Sequence, residues 1–173
     1  MSNKILVTYA SRTGSTAEIA EAISKTLSED GVQVDVMPMN VVKDLSMYRA
    51  VVAGSAIRGS KWLPEATQFM QTHAATLKQK PFAMFTVCIT LAMKNAKNYR
   101  TGVAGWVASV RAIVKPLDEG FFAGMLDFKK LPFNWDTLML RLTVALGIFP
   151  RGDHRDWNAI RTWAKGLSST LKV

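Results

Sequence analysis

Ile5-Leu6-Val7-Thr8-Tyr9-Ala10-Ser11-Arg12-Thr13-Gly14-Ser15-Thr16-Ala17-Glu18-Ile19-Ala20 passes from an apolar run, through a hydroxyl-rich turn, into helical spacing. Ile5 to Tyr9 is short and β-branched, as a buried strand should be. From about Thr16 to Glu29, the apolar residues Ala17, Ile19, Ala20, Ile23 and Leu27 recur with a helical period, and Gly31 follows as a stop. The turn between strand and helix carries the chemistry. Backbone amides at a helix N-terminus, aided by the helix dipole, bind a phosphate dianion. Ser11, Thr13, Ser15 and Thr16 add hydroxyls, and Gly14 lets the backbone approach a ligand closely. No P-loop lysine follows, and the three spaced glycines of a dinucleotide loop are missing. What remains is a monophosphate held by hydroxyls and amides. A turn of this kind also caps helices, but its place between strand and helix favours the ligand.

Outward from this motif the pattern repeats. Val32, Val34 and Val36 alternate with polar residues as a second strand that ends at Pro38. Tyr48 to Gly54 reads as a third strand, and Leu63 to about Ala75 as a helix with Pro64 in its first turn. Phe82 to Val87 is a fourth strand. A basic, irregular stretch then leads to a helix around Trp106 to Val114, and Gly120 to Met125 is a fifth strand. Strands alternating with helices imply parallel βαβ units. The expected fold class is α/β: a single domain over 1–173, with a five-stranded parallel sheet in the order 2-1-3-4-5 and helices on both faces. Its ligand should lie at the carboxyl ends of the strands, near the switch between strands 1 and 3. A last helix, from about Asp156 to Leu171, turns Trp157, Ile160, Ala164, Leu167 and Leu171 to one face.

Val7 to Ile23 resembles the flavodoxin family. Tyr9, Ser11, Gly14, Thr16 and Ala20 fall where that family's FMN-phosphate signature places them, whereas Thr8 stands where an apolar residue is usual. The resemblance implies FMN, with its phosphate on Ser11, Arg12, Thr13, Gly14, Ser15 and Thr16. It also implies that the flavin ring lies between the loops after strands 3 and 4. The candidates there are Ser55, Ala56, Ile57, Arg58, Gly59 and Trp62 on one side, and Thr86, Val87, Cys88 and Ile89 on the other. Trp62 has two readings, a ring that stacks on the flavin or a residue packed at a helix start. Arg58 either favours an anionic ligand or is a solvated loop charge. Cys88, a lone cysteine past a buried strand, reads as a small apolar residue rather than a nucleophile. No acid–base residue is nominated, because the flavin carries the redox chemistry. His73 and His154 stand at no metal-ligand spacing, so no metal is expected.

The net charge of +9 is unlike that of an acidic electron shuttle and favours anionic partners. One cysteine fits a reducing compartment, and no apolar run is long enough to span a bilayer. Over nearly its whole length the chain resembles a narrower group, the flavodoxin-like, quinone-dependent protoporphyrinogen IX dehydrogenases of bacteria. The resemblance rests on Ser11-Arg12-Thr13-Gly14, Gly54-Ser55-Ala56-Ile57-Arg58, the basic insertion after strand 4 (about 94–105), Phe122-Ala123-Gly124 and Gly152-Asp153-His154-Arg155-Asp156-Trp157. It implies that protoporphyrinogen IX is oxidised on FMN, with the electrons passed to menaquinone or ubiquinone. The apolar segment Leu131 to Phe149 is then either a core helix or a peripheral membrane contact, held over 129–151 by Lys129, Lys130, Arg141 and Arg151. The insertion Lys94-Asn95-Ala96-Lys97-Asn98-Tyr99-Arg100, with Arg111 and Lys115, is either a solvated loop or a contact for the substrate's propionates. The expected place is cytoplasmic, at the inner face of the cell membrane. No nucleic-acid partner is expected, and a homo-oligomer is left open. Two other readings compete: a flavodoxin electron carrier, and an NAD(P)H:quinone reductase.

Overall fold

The computed structural model describes residues 4–29, 31–94, 96–130 and 134–171; Asn95 of the basic insertion and residues 131–133 of the apolar segment lie outside this set. The strands are β1 (Lys4–Ala10), β2 (Gln33–Pro38), β3 (Tyr48–Arg58), β4 (Lys61–Trp62), β5 (Phe82–Val87), β6 (Asp118–Phe122), β7 (Met125–Leu126) and β8 (Gly152–Asp153). The helices are α1 (Ser15–Ser28), α2 (Pro64–Thr72), α3 (Ala74–Leu77), α4 (Ala96–Trp106), α5 (Ala108–Ile113), α6 (Trp135–Ala145) and α7 (Trp157–Thr170). The main sheet runs β2-β1-β3-β5-β6, every neighbour parallel, which is the expected order once the short antiparallel β4 on β3 is set aside. β7 and β8 form a separate antiparallel pair.

Period-two alternation in the strands sorts two cores onto the two faces of the sheet. Leu6, Val51, Ala53, Phe82 and Met84 pack with α2, α3 and α5 on one face. Ile5, Val7, Val52, Ala83 and Phe85 pack with α1 and α7 on the other. Both faces are covered, so the central strands are apolar nearly throughout, as parallel strands are. The registers bring Ala10, Ser55, Thr86 and Phe121 into one row across the sheet. The loops that follow this row therefore open on the same edge.

Four segments depart from the sequence reading. The third strand runs past Gly54 to Arg58 and turns back into β4, because Gly59 and Ser60 both adopt left-handed backbone (φ 57° and 59°), the geometry of a two-residue hairpin turn. The fifth strand ends at Phe122, not Met125, and Met125 pairs instead with Asp153 of β8. The basic stretch after β5 is helical from Ala96 rather than irregular. Among the described residues the apolar segment is helical over Trp135–Ala145, and it is no core helix: Trp135, Leu138, Leu142 and Leu146 are exposed, Trp135 by 69%.

Gly54 in β3 lies beneath the Phe85 ring, where an added Cβ would sit 2.0 Å from the nearest ring carbon. Gly54→Ala should therefore lower stability by about 2 kcal/mol or more, read from the urea midpoint. Thr8, fully buried in β1, has a side-chain oxygen with no partner among the described residues. Thr8→Val should raise stability by about 1 kcal/mol in the same measurement, since it removes an unsatisfied buried hydroxyl.

Candidate functional site

A cleft of about 300 Å³ opens where the row of strand ends finishes. Its floor is the turn after β1, with Ser11, Arg12, Thr13 and Ser15. The β3–β4 hairpin supplies Ala56, Ile57 and Arg58, and the end of β5 supplies Val87 and Ile89. Gly124, Met125 and Leu126 form the far wall, and Thr137 and Leu140 of α6 close over it.

The turn is built to present backbone donors. Gly14 is left-handed (φ 91°), and its amide donates to Ser11 Oγ at 3.0 Å. α1 starts there with no side-chain cap, and its first internal bond is Glu18 N–H to Gly14 O at 3.0 Å. The amides of the first turn before Glu18 thus have no intrahelical acceptor. Thr16 Oγ1 is buried beside them and has no hydrogen-bond partner among the described residues. An orphaned hydroxyl next to uncapped amides at a positive helix end suits a phosphate, whose oxygens accept from both.

The charges around the turn are already committed. Arg12 makes a two-pronged ion pair with Glu65 at the start of α2, with Nη2 2.8 Å from Oε2. Burial pushes the Glu65 carboxyl up, but the hydrogen bonds and charge of Arg12 outweigh it and leave the group below its ordinary range. Glu18, in the first turn of α1, would repel an anion seated there. Arg155 answers it: its guanidinium lies 2.6 Å from Glu18 and 2.6 Å from Asp153, and 4.5 Å over the Trp157 ring. With its side chain only 5% exposed, Arg155 ties β8 and the start of α7 to the phosphate turn. That pairing also holds the Asp153 carboxyl below its ordinary range. The cradle that results is made of neutral donors.

Not every residue singled out in the sequence reaches the cleft. Gly14 and Thr16 complete the turn beneath it, and Gly59 shapes the hairpin tip. Trp62 is corrected: it is 3% exposed, sits in the core, and donates its indole N–H to Thr86 Oγ1 at 3.0 Å. It supports the hairpin from behind and presents no ring to a ligand. Ser55, fully buried, accepts the Leu63 amide at 3.1 Å and so fixes the hairpin to the start of α2. Cys88 is buried, and burial pushes its thiol up, so it stays protonated at neutral pH. Arg111 belongs to a structural pair with Glu119 (2.5 and 2.6 Å), and Lys115 lines a cavity beside Phe82 at the amino end of β5. Neither lies among the residues lining the cleft.

Leu63, Met125, Leu126, Thr137 and Leu140 line the cleft without being foreseen from the sequence. Nothing local marks them, since each arrives by chain return. The link between Glu18 and Arg155, 137 residues apart, is of the same kind. Among the described residues no group of three His, Cys, Asp or Glu could hold a metal ion.

A strand–turn–helix phosphate cradle at the switch point of a 2-1-3 parallel sheet defines an FMN-binding fold. The flavodoxin domain family model matches residues 6–147, and the chain belongs to that family. FMN is accordingly its cofactor. The protoporphyrinogen IX dehydrogenase [quinone] of Escherichia coli K12 is 22% identical, over 95% of this chain and 94% of that one. Among solved structures, a cysteine-to-serine mutant of the flavodoxin from Pseudomonas aeruginosa aligns with a TM-score of 0.62 at 11% identity, covering 98% of this chain and 99% of that one. A flavodoxin from the domain Archaea aligns at 0.57 with 19% identity and the same coverage. At these identities the structures speak for the fold alone.

Thr16→Val keeps the shape of the side chain and removes the orphaned hydroxyl. The apoprotein should be as stable as the parent or more so, while FMN binds about tenfold more weakly in a fluorescence-quenching titration.

Proposed function

We propose that this flavoprotein oxidises protoporphyrinogen IX to protoporphyrin IX and delivers the electrons to a membrane quinone. The observation that carries the reading is the double role of α6. Thr137 and Leu140 wall the cleft, while Trp135, Leu138, Met139, Leu142 and Leu146 of the same segment are exposed. An exposed apolar helix face on a protein of this charge suits the interface of an anionic bilayer, where quinones reside. No helix of the described residues is long and apolar enough to cross a membrane, so the proposed contact is peripheral. The name of the Escherichia coli relative supports the same substrate and acceptor.

Bound FMN supplies the redox chemistry. In this reading Ser11, Thr13, Ser15 and the first-turn amides hold its phosphate. Ala56, Ile57, Val87 and Ile89 flank the ring, and Leu126 and Leu140 keep water from it. A flavodoxin carrier would dock on basic partners with an acidic surface, which a net charge of +9 disfavours.

Anaerobic incubation of the FMN-loaded protein with protoporphyrinogen IX, a quinone analogue and anionic vesicles should yield porphyrin fluorescence well above the uncatalysed rate. No excess over that rate would overturn the reading. Trp135→Ser with Leu142→Ser should cut the rate with a vesicle-borne quinone about tenfold and leave the rate with a water-soluble analogue unchanged.

A further inference from the structure

α6 has two chemically distinct arcs. At about 100° per residue, Trp135, Leu138, Met139, Leu142 and Leu146 fall on the outward arc. Thr137, Leu140, Arg141 and Val144 fall on the inward one. Thr137 and Leu140 line the cleft, and one turn further on Arg141 and Val144 line an adjoining cavity of about 520 Å³. That cavity is completed by Phe128, Lys129, Ala145 and Arg151.

Its chemistry is cationic and aromatic. The Arg141 and Arg151 guanidinium carbons lie 5.3 and 5.9 Å from the centroid of the same Phe128 ring. Neither arginine, nor Lys129, has a carboxylate partner among the described residues. Asp127, two residues before Lys129, is turned to the backbone amide of Lys129 at 2.9 Å, and Asp153, two residues after Arg151, is held by Arg155 at 2.6 Å. Val144 and Arg151 also border a second cavity that holds Lys94. Elsewhere the arginines that border functional elements are neutralised, Arg12 by Glu65 and Arg155 by Glu18 and Asp153. Here three exposed cations converge around one ring, two of them stacked on its face, with no carboxylate partner among the described residues, a local excess of positive charge that attracts an anion.

We infer that Lys129, Arg141 and Arg151, arrayed around Phe128, form a carboxylate subsite that orients the reductant in the cleft. The ligand class is a flat, largely apolar molecule with carboxylate arms, its body against Leu126 and Leu140 and an arm one helical turn away. The inward position of Arg141 separates this from a lipid-headgroup site, which would lie on the arc of Trp135 and Leu142. The inference rests on the porphyrinogen reading above, and it moves the propionate contact from the Lys94 to Arg100 insertion, with Arg111 and Lys115, to these three cations.

The test is a binding measurement on the FMN-loaded protein with mesoporphyrin IX and its dimethyl ester, both in the same neutral detergent and read by fluorescence anisotropy. Arg141→Gln with Arg151→Gln should weaken the dicarboxylate about tenfold or more and leave the ester unchanged, and Arg141→Lys with Arg151→Lys should recover part of the loss. The same double Gln variant should raise KM for protoporphyrinogen with little change in kcat. Both sites are exposed, so folding is expected to survive, and Lys129→Gln alone should give a smaller loss of the same kind. Equal weakening of acid and ester, or none, would overturn the subsite. So would unchanged porphyrin binding with lost binding to phosphatidylglycerol vesicles, which would assign the cations to lipid. A parent protein that discriminates acid from ester through these arginines yet oxidises no porphyrinogen would sink the functional reading and leave the subsite standing.

Discussion

The uncapped first turn of α1 sits at the carboxyl end of β1, the strand at the point where the sheet order reverses. Its amides need acceptors, and the sheet cannot supply them. Much of the nearby architecture follows from that one requirement. Gly14 takes a left-handed backbone so that the chain can leave the strand and present donors. Thr16 keeps a hydroxyl buried without a partner among the described residues. Glu18 in the same turn has to be neutralised, and Arg155 does so from the far end of the chain. The Arg155 side chain is 5% exposed, and Lys130 approaches the same carboxylate at 3.8 Å, so two cations offset the negative charge at that helix end.

The second level is the wall around the turn. The hairpin of β3 and β4 is braced from behind by Trp62 on Thr86 and by the Leu63 amide on Ser55. These buried contacts fix Ala56 to Arg58 beside the turn after β1, at the rim of the cleft. α6 is different in kind. It is an addition to the doubly wound core, apolar outward and mixed inward, and it links the cleft both to an exposed apolar surface and to a cationic cavity. The core and turn define a flavin protein. α6 is the element that lies outside that core.

The parallel order and the two helical layers were legible because period-two strands and 3.6-period helices alternate cleanly along the chain. The turn from Ser11 to Thr16 was legible as the passage from strand to helix because its residues are contiguous. The hairpin was not, since Gly59-Ser60 reads as part of a loop after the third strand until both residues are seen with positive φ. Trp62 was ambiguous because a sequence shows a ring but not the Thr86 hydroxyl waiting for its N–H. The apolar segment was ambiguous for a related reason: a buried and an exposed apolar helix share a composition, and only packing separates them. Glu18–Arg155 and the Phe128 cations depend on chain return across long separations, which no local pattern encodes.

The central claim is that the turn from Ser11 to Thr16 holds the cofactor by its phosphate. The most direct measurement is a pair of titrations of the apoprotein, one with FMN and one with riboflavin, followed by quenching of flavin fluorescence. FMN should bind at least about a hundredfold more tightly, as several charge-assisted hydrogen bonds to one dianion require. Equal affinity for the two flavins would contradict it.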